Sequence, residues 1–170
     1  MNQHRLVFYG NQTLREVARE VTQIDQSIQD IIEDMFTLMR KEKGIGLAAP
    51  QIDLSKRIVV LDLQSYKGPR LALINPVITA LSEEETVIEE GCLSVPGIMK
   101  DIYRPAEISL RAMTPEQKEI TFDADGLLAR VLQHEIDHLN GILFIDHLED
   151  YIRRELTGEL KKIKKLNKAS

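Results

Sequence analysis

Apolar residues recur along this chain at two different periods, and the switch between them divides it into elements. Ile28, Ile31, Ile32, Met35, Phe36 and Met39 fall at the three-and-four spacing of one helical face. That spacing predicts an amphipathic helix over residues 25–42, with Gly44 near its stop and the Met and Phe stripe in the core. Aliphatic and β-branched runs at 57–63 and 71–81, and shorter ones around 86–88 and 107–111, predict strands. Gly68-Pro69 marks a turn and Asn75-Pro76 a break or an edge. Pro76 has no N–H to give a ladder, which argues against a central position for its strand. Helical spacing returns at Leu127, Leu128, Val131, Leu132, His138 and Leu139, where Asp123 or Asp125 is expected to cap the start and Gly141 to end the helix. Leu148, Ile152, Leu156, Leu160 and Ile163 give a last amphipathic helix with Lys and Arg on its opposite face. Strands between helices indicate an α+β fold, and the chain of 170 residues is expected to form a single domain.

Composition narrows the class. With 43% hydrophobic residues the chain buries one sizeable core. It has no run of the roughly 20 apolar residues that a membrane span requires. Its first residues lack the pattern of a secretory signal or a transit segment, so a cytoplasmic, bacterial location is expected. Cys92 is the only cysteine and forms no intrachain disulfide. The net charge of -5 conceals an asymmetry, because residues 151–170 carry seven Lys or Arg against two Glu. An acidic body with a basic C-terminal tail suits contact with a polyanion.

The chemistry concentrates in His134-Glu135-Ile136-Asp137-His138. Two imidazoles four residues apart on a helix face one metal ion, and the glutamate between them stands beside the water such an ion activates. A hydrolytic centre needs a third ligand. One class of peptidases with this motif supplies a histidine where this chain has Phe144. A second class supplies a downstream glutamate, for which Glu149, Glu155 and Glu159 are available. The third candidate is Cys92, giving a borderline-soft Cys-His-His set suited to Fe(II), Zn or Ni. His4 and His147 belong to no spaced cluster and are read as surface or hydrogen-bonded histidines. Gly44 and Gly46 make a weak phosphate-loop match and are better read as allowing close backbone approach.

Three blocks, Gly44-Ile45-Gly46-Leu47-Ala48-Ala49-Pro50-Gln51, Glu90-Gly91-Cys92-Leu93-Ser94 and Gln133-His134-Glu135-Ile136-Asp137-His138-Leu139, resemble the three signature motifs of the peptide deformylases, in order and at familiar spacing. Asn11-Gln12-Thr13-Leu14-Arg15 departs from the family in lacking the proline before its Leu-Arg pair. The resemblance implies antiparallel or mixed sheets packed around the motif helix, with one helix near each end. It implies removal of the N-formyl group from formyl-methionine at the start of new polypeptides, with release of formate. It places one divalent metal ion on Cys92, His134 and His138, with Fe(II) expected in cells and Ni, Co or Zn also accepted. Glu135 then moves the proton, and the Gln51 amide with the Leu93 backbone N–H stabilises the oxyanion. Ile45 and Gly46 main-chain groups, with Gly91, are expected beside the peptide. Leu127 and Val131, on the ligand face of the helix, are read either as lining the methionine slot or as plain core. Glu90 and Arg104 are expected to form a buried ion pair fixing the cysteine strand, and the basic tail to contact the ribosome. The competing readings are a conventional metallopeptidase and a binding protein with a structural metal.

Overall fold

The computed structural model describes residues 4–168; residues 1–3 and 169–170 of the expected 1–170 span lie outside the described residues. Helix α1 (Gln26–Lys41) begins where Asp25 accepts a hydrogen bond from the Ile28 N–H, 3.3 Å away, and it buries Ile28, Ile32, Met35, Phe36 and Met39. It closes with Gly44 N–H donating to Met39 O at 2.9 Å. The left-handed residue there is Lys43, φ 60°, rather than the glycine. Gly44 is needed for a different reason: a Cβ on it would lie 2.8 Å from Leu93 Cδ1.

Strands β1 (Gly46–Ala48), β2 (Ile58–Asp62), β3 (Arg70–Leu81), β4 (Glu85–Cys92), β5 (Val95–Pro105), β6 (Glu107–Met113) and β7 (Glu119–Asp125) form two antiparallel sheets. The larger runs in the order β1-β2-β3-β6-β7, and the smaller is the β4-β5 hairpin. Because side chains alternate faces along a strand, β2 sends Ile58 and Val60 into the core under α1. Val59 and Leu61 go to the opposite face, toward α2 (Gly126–Leu139). A third apolar cluster joins the hairpin, through Val95, Ile98 and Ile102, to the C-terminal segment, through Phe144, Leu156 and Leu160. The fold is therefore α+β, as expected, with ten of the fourteen α2 residues buried. A helix covered on nearly every side sits at the centre of such an arrangement.

Four local expectations are corrected. Pro76 lies in β3, the central strand of the large sheet, which accommodates it with a register shift between Ile74 and Val77. Asn75, φ 52°, makes the bulge, and its amide pairs with both Val21 N–H and Val21 O. A bulge removes the demand for the proline's missing donor. Asp125 stands at the N-cap position of α2 but its side chain makes no capping bond there, and Asp123 instead accepts from Ser109 Oγ. The short runs at 86–88 and 107–111 belong to longer strands, and β5 and β7 were not anticipated. The last helix is two pieces, α3 (Asp150–Glu155) and α4 (Thr157–Lys164), separated at Leu156. Gly141, φ 73°, does follow the end of α2, where a Cβ would meet Arg15 O at 2.6 Å.

The Asp25 cap carries a pH signature. The Ser27 hydroxyl and the Ile28 N–H both donate to its carboxylate and hold its pKa below the usual 3.8, against a small opposing effect of burial. A depressed folded-state pKa contributes stability above the unfolded pKa and loses it as pH falls through the folded one. Asp25→Ala is expected to lower the melting temperature by about 2–4 °C at pH 7. Thermal melts taken through the carboxylate range and below it should show that difference shrinking.

Candidate active site

Two elements bring the candidate ligands together. β4 ends at Cys92, where the ladder with β5 shifts register between Glu90 and Cys92 and turns the cysteine off the regular pleat. α2 presents His134 and His138 one turn apart. Their donor atoms and Cys92 Sγ all lie within 4.8 Å of one another, with Sγ 3.4 Å from His138 Nε2. Bond lengths of 2.0–2.3 Å around a tetrahedral ion separate adjacent donors by roughly 3–4 Å, so the set fits one ion. Glu149, Glu155 and Glu159 are exposed. Phe144, where another class would need a histidine, stacks on His134 at 6.0 Å between ring centroids. His4 pairs with Asp34 and His147 with Asp137.

Electrostatics agree with that fit. Burial pushes the His134 pKa down, yet Glu135, Cys92 and Glu90 around it raise it well above its usual value. Burial, then the neighbouring His134 and Arg104, push His138 well below its own. A charge on the His134 ring therefore disfavours one on His138. His134 Nδ1 meets Glu90 Oε1 at 2.8 Å, which directs Nε2 toward the cysteine.

Glu135 is 4% exposed, and its Oε1 has no hydrogen-bond partner among the described residues. Burial, opposed by His134 and reinforced by Glu90, raises its pKa to about 7. Gln51 is fixed by its own amide: Oε1 accepts from Ala48 N–H at 2.9 Å, so Nε2 must face the site, 3.5 Å from Cys92 Sγ and 3.2 Å from Ser94 Oγ. Ile45, Gly46, Gln51, Gly91, Cys92, Leu93, Leu127, Val131, His134 and Glu135 line one cavity of about 1360 Å³, with His138 buried behind them. Val131 and Leu127 also pack against the main core, so lining and core coexist at those positions.

The expected Glu90–Arg104 pair is present and buried, with Arg104 Nε donating to Glu90 Oε2 at 2.6 Å and Nη2 to Oε1 at 3.0 Å. Asp137, read from the sequence as hydrogen-bonding behind the ligands, accepts from Arg104 Nη1 at 2.8 Å. Two partners were missed: Arg130 Nη1 donates to Glu90 Oε2 at 2.8 Å, and Ser94 Oγ receives the Gln51 amide. Arg130 stands four residues before His134 on the same helical face, a spacing that could have pointed to it.

The family model for polypeptide deformylase matches residues 3–154. This chain belongs to the peptide deformylase family. It is 44% identical to a peptide deformylase of Brachyspira hyodysenteriae over 164 residues, 94% of this chain and 88% of the relative. The crystal structure of a peptide deformylase from Legionella pneumophila superposes with a TM-score of 0.89 at 37% identity, covering 99% of each chain. A plant peptide deformylase gives 0.91 at 31% identity, over 97% of this chain and 91% of that one. The chain is accordingly a metal-binding hydrolase of the peptide deformylase type, and the family acts on the N-formyl group of nascent peptides. No helix among the described residues is long and apolar enough to cross a membrane.

Gly46 has a role beyond freeing the backbone for a peptide. A Cβ there would lie 2.5 Å from Glu135 Oε2 and 3.0 Å from Val131 Cγ1. β1 therefore lies directly on the glutamate. At Gly91 the added carbon would clash with the Met99 side chain, which is 53% exposed, and would stand at ordinary contact, 3.5 Å, from Ile98 O. Gly46→Ala is expected to lower kcat for a short formyl-Met peptide by roughly 10²-fold, the scale of a catalytic group displaced by about 1 Å, with metal content unchanged. Steady-state assays with metal analysis of the variant decide it.

Proposed function

We propose that the chain hydrolyses the formyl amide of formyl-methionyl nascent peptides with one divalent ion on Cys92, His134 and His138, Fe(II) in cells and Ni, Co or Zn as substitutes. The observation that carries this reading is the convergence of that donor set with an unpartnered Glu135 oxygen and the Gln51 amide in one cavity. When bound, a divalent ion there supplies Lewis-acid activation of water and of the formyl group. Glu135 takes the proton of the attacking water at its free oxygen and delivers a proton to the leaving amine. Gln51 Nε2, whose orientation is locked by Ala48, donates to the oxygen that gains charge, together with the Leu93 backbone N–H. An amide keeps its donor at every ordinary pH. Ile45, Gly46 and Gly91 carry the peptide backbone along the cleft, and Leu127 and Val131 take the methionine side chain.

A short formyl-Met peptide incubated anaerobically with Fe(II)-loaded protein is expected to yield formate and the intact deformylated peptide in equal amounts by mass spectrometry. Backbone fragments without formate would replace this reading with an endopeptidase. Glu135→Gln should keep the metal and lose about 10²–10⁴-fold in kcat.

The basic C-terminal segment supports a second contact. Lys161, Lys162 and Lys165 are exposed, and we propose that this face meets ribosomal RNA phosphates. Truncation is a poor test, because Asn167 Oδ1 accepts from Phe8 N–H and its Nδ2 donates to Phe8 O and Tyr9 O. The combined Lys161→Gln, Lys162→Gln and Lys165→Gln variant is expected to bind ribosomes more weakly and with a shallower salt dependence than the parent. Its kcat on a short peptide should not change. Equal ribosome affinity for both forms in co-sedimentation would sink the docking proposal.

A further inference from the structure

The donor set is split between two elements that share no ladder: Cys92 closes β4, while His134 and His138 stand on α2. Some interaction must fix the distance between helix and hairpin, and Arg130 spans it. The side chain is 4% exposed. Its Nη1 donates to Glu90 Oε2 and to Ile102 O, both at 2.8 Å. Its Nη2 donates to Thr86 O at 2.8 Å and to Thr86 Oγ1 at 3.2 Å. Thr86 and Glu90 lie on β4 and Ile102 on β5, so one guanidinium ties the helix to both strands of the hairpin that delivers the cysteine. The Glu90 carboxylate it grips is also the acceptor that orients His134 Nδ1.

A buried arginine that only filled space would not need this pattern. Its two backbone acceptors lie on different strands, and its carboxylate acceptor is shared with a candidate ligand. The planar fork of a guanidinium makes such multi-point contacts, whereas a lysine ammonium reaches as a single point. Groups behind a ligating histidine set its orientation and basicity, and their loss typically costs 10–100-fold in metal affinity.

We infer that Arg130 is a positioning residue that sets the separation between Cys92 and the two histidines and, through Glu90, the tilt of the His134 ring. Ion affinity and thiolate geometry then depend on a side chain outside the donor set. This inference rests on the metal-site reading above.

The test is a Co(II) titration of the parent, Arg130→Met and Arg130→Lys, with Ile28→Ala as a comparably destabilised control far from the site. Two readouts besides activity are taken: the thiolate-to-cobalt charge-transfer absorption, and Co(II) retention against a competing chelator. Arg130→Met is expected to hold Co(II) about 10–100-fold more weakly and to shift the band. Arg130→Lys should fall between it and the parent, and Ile28→Ala should keep the parent spectrum. If Arg130→Met is not recovered folded, Arg130→Lys is judged by the same two readouts. Parent-like band and retention in the Arg130 variants, with only the melting temperature lowered, would overturn the inference alone. Absence of a thiolate-to-cobalt band in the parent itself would overturn the metal reading and the inference with it.

Discussion

The carboxylate of Glu90 is the point on which the rest of the site depends. It is 6% exposed and accepts from Arg104, Arg130 and the His134 ring. Burial alone would push its pKa up, but the hydrogen bonds from His134 and Arg104 overcome that and hold it well below the ordinary carboxylate range. An ion taken out of water without partners is very costly, and breaking a buried pair typically costs about 3–5 kcal/mol. Here Glu90 and Asp137 set two negative charges against those of Arg104 and Arg130, and the His134 ring adds its own bond to Glu90.

A second constraint acts from the opposite side. β1 covers Glu135 at a position where only a hydrogen fits on Gly46, and the glutamate is left buried with one oxygen unpartnered among the described residues. Desolvation there raises its pKa to about 7. An acid poised near neutrality both accepts and returns a proton at working pH, which is the requirement for a single group acting twice in one turnover. The raised pKa of Glu135 thus goes with the closeness of strand to helix, and a second glycine, Gly44 against Leu93, keeps the neighbouring cleft wall equally tight.

Much of this was legible in the sequence because it is local. The α1 stripe, the β2 run and the i, i+4 histidines depend on spacing alone, while Cys92 was one of three candidate donors until the resemblance to the peptide deformylases singled it out. What escaped reading depends on pairing across the fold. The segment Val95-Pro96-Gly97 looks like a turn, yet it begins β5, whose alternation of Ile98 and Ile102 with exposed residues is meaningful only once β4 lies beside it. Pro76 argued for an edge because a ladder normally needs its N–H, and only the bulge pinned by Asn75 to Val21 makes the central place tolerable. Arg130 looked like one polar residue in an apolar helical stripe, since its four acceptors come from segments 28 to 44 residues away.

The same two bodies that hold the donor set also form the walls of the cleft. The hairpin contributes Ile88, Gly91, Cys92 and Met99 to the cavity, and α2 contributes Leu127, Val131, His134 and Glu135. A cleft that opened by swinging hairpin from helix would draw Cys92 away from His138, now 3.4 Å distant, and stretch the bonds that Arg130 and His134 make to Glu90. The shape of the cleft and the closeness of the three donors are therefore fixed together, by the same buried charges. Freedom to move is left to the outer rim of the cavity, where Met99 and Tyr66 are exposed and make none of these buried bonds.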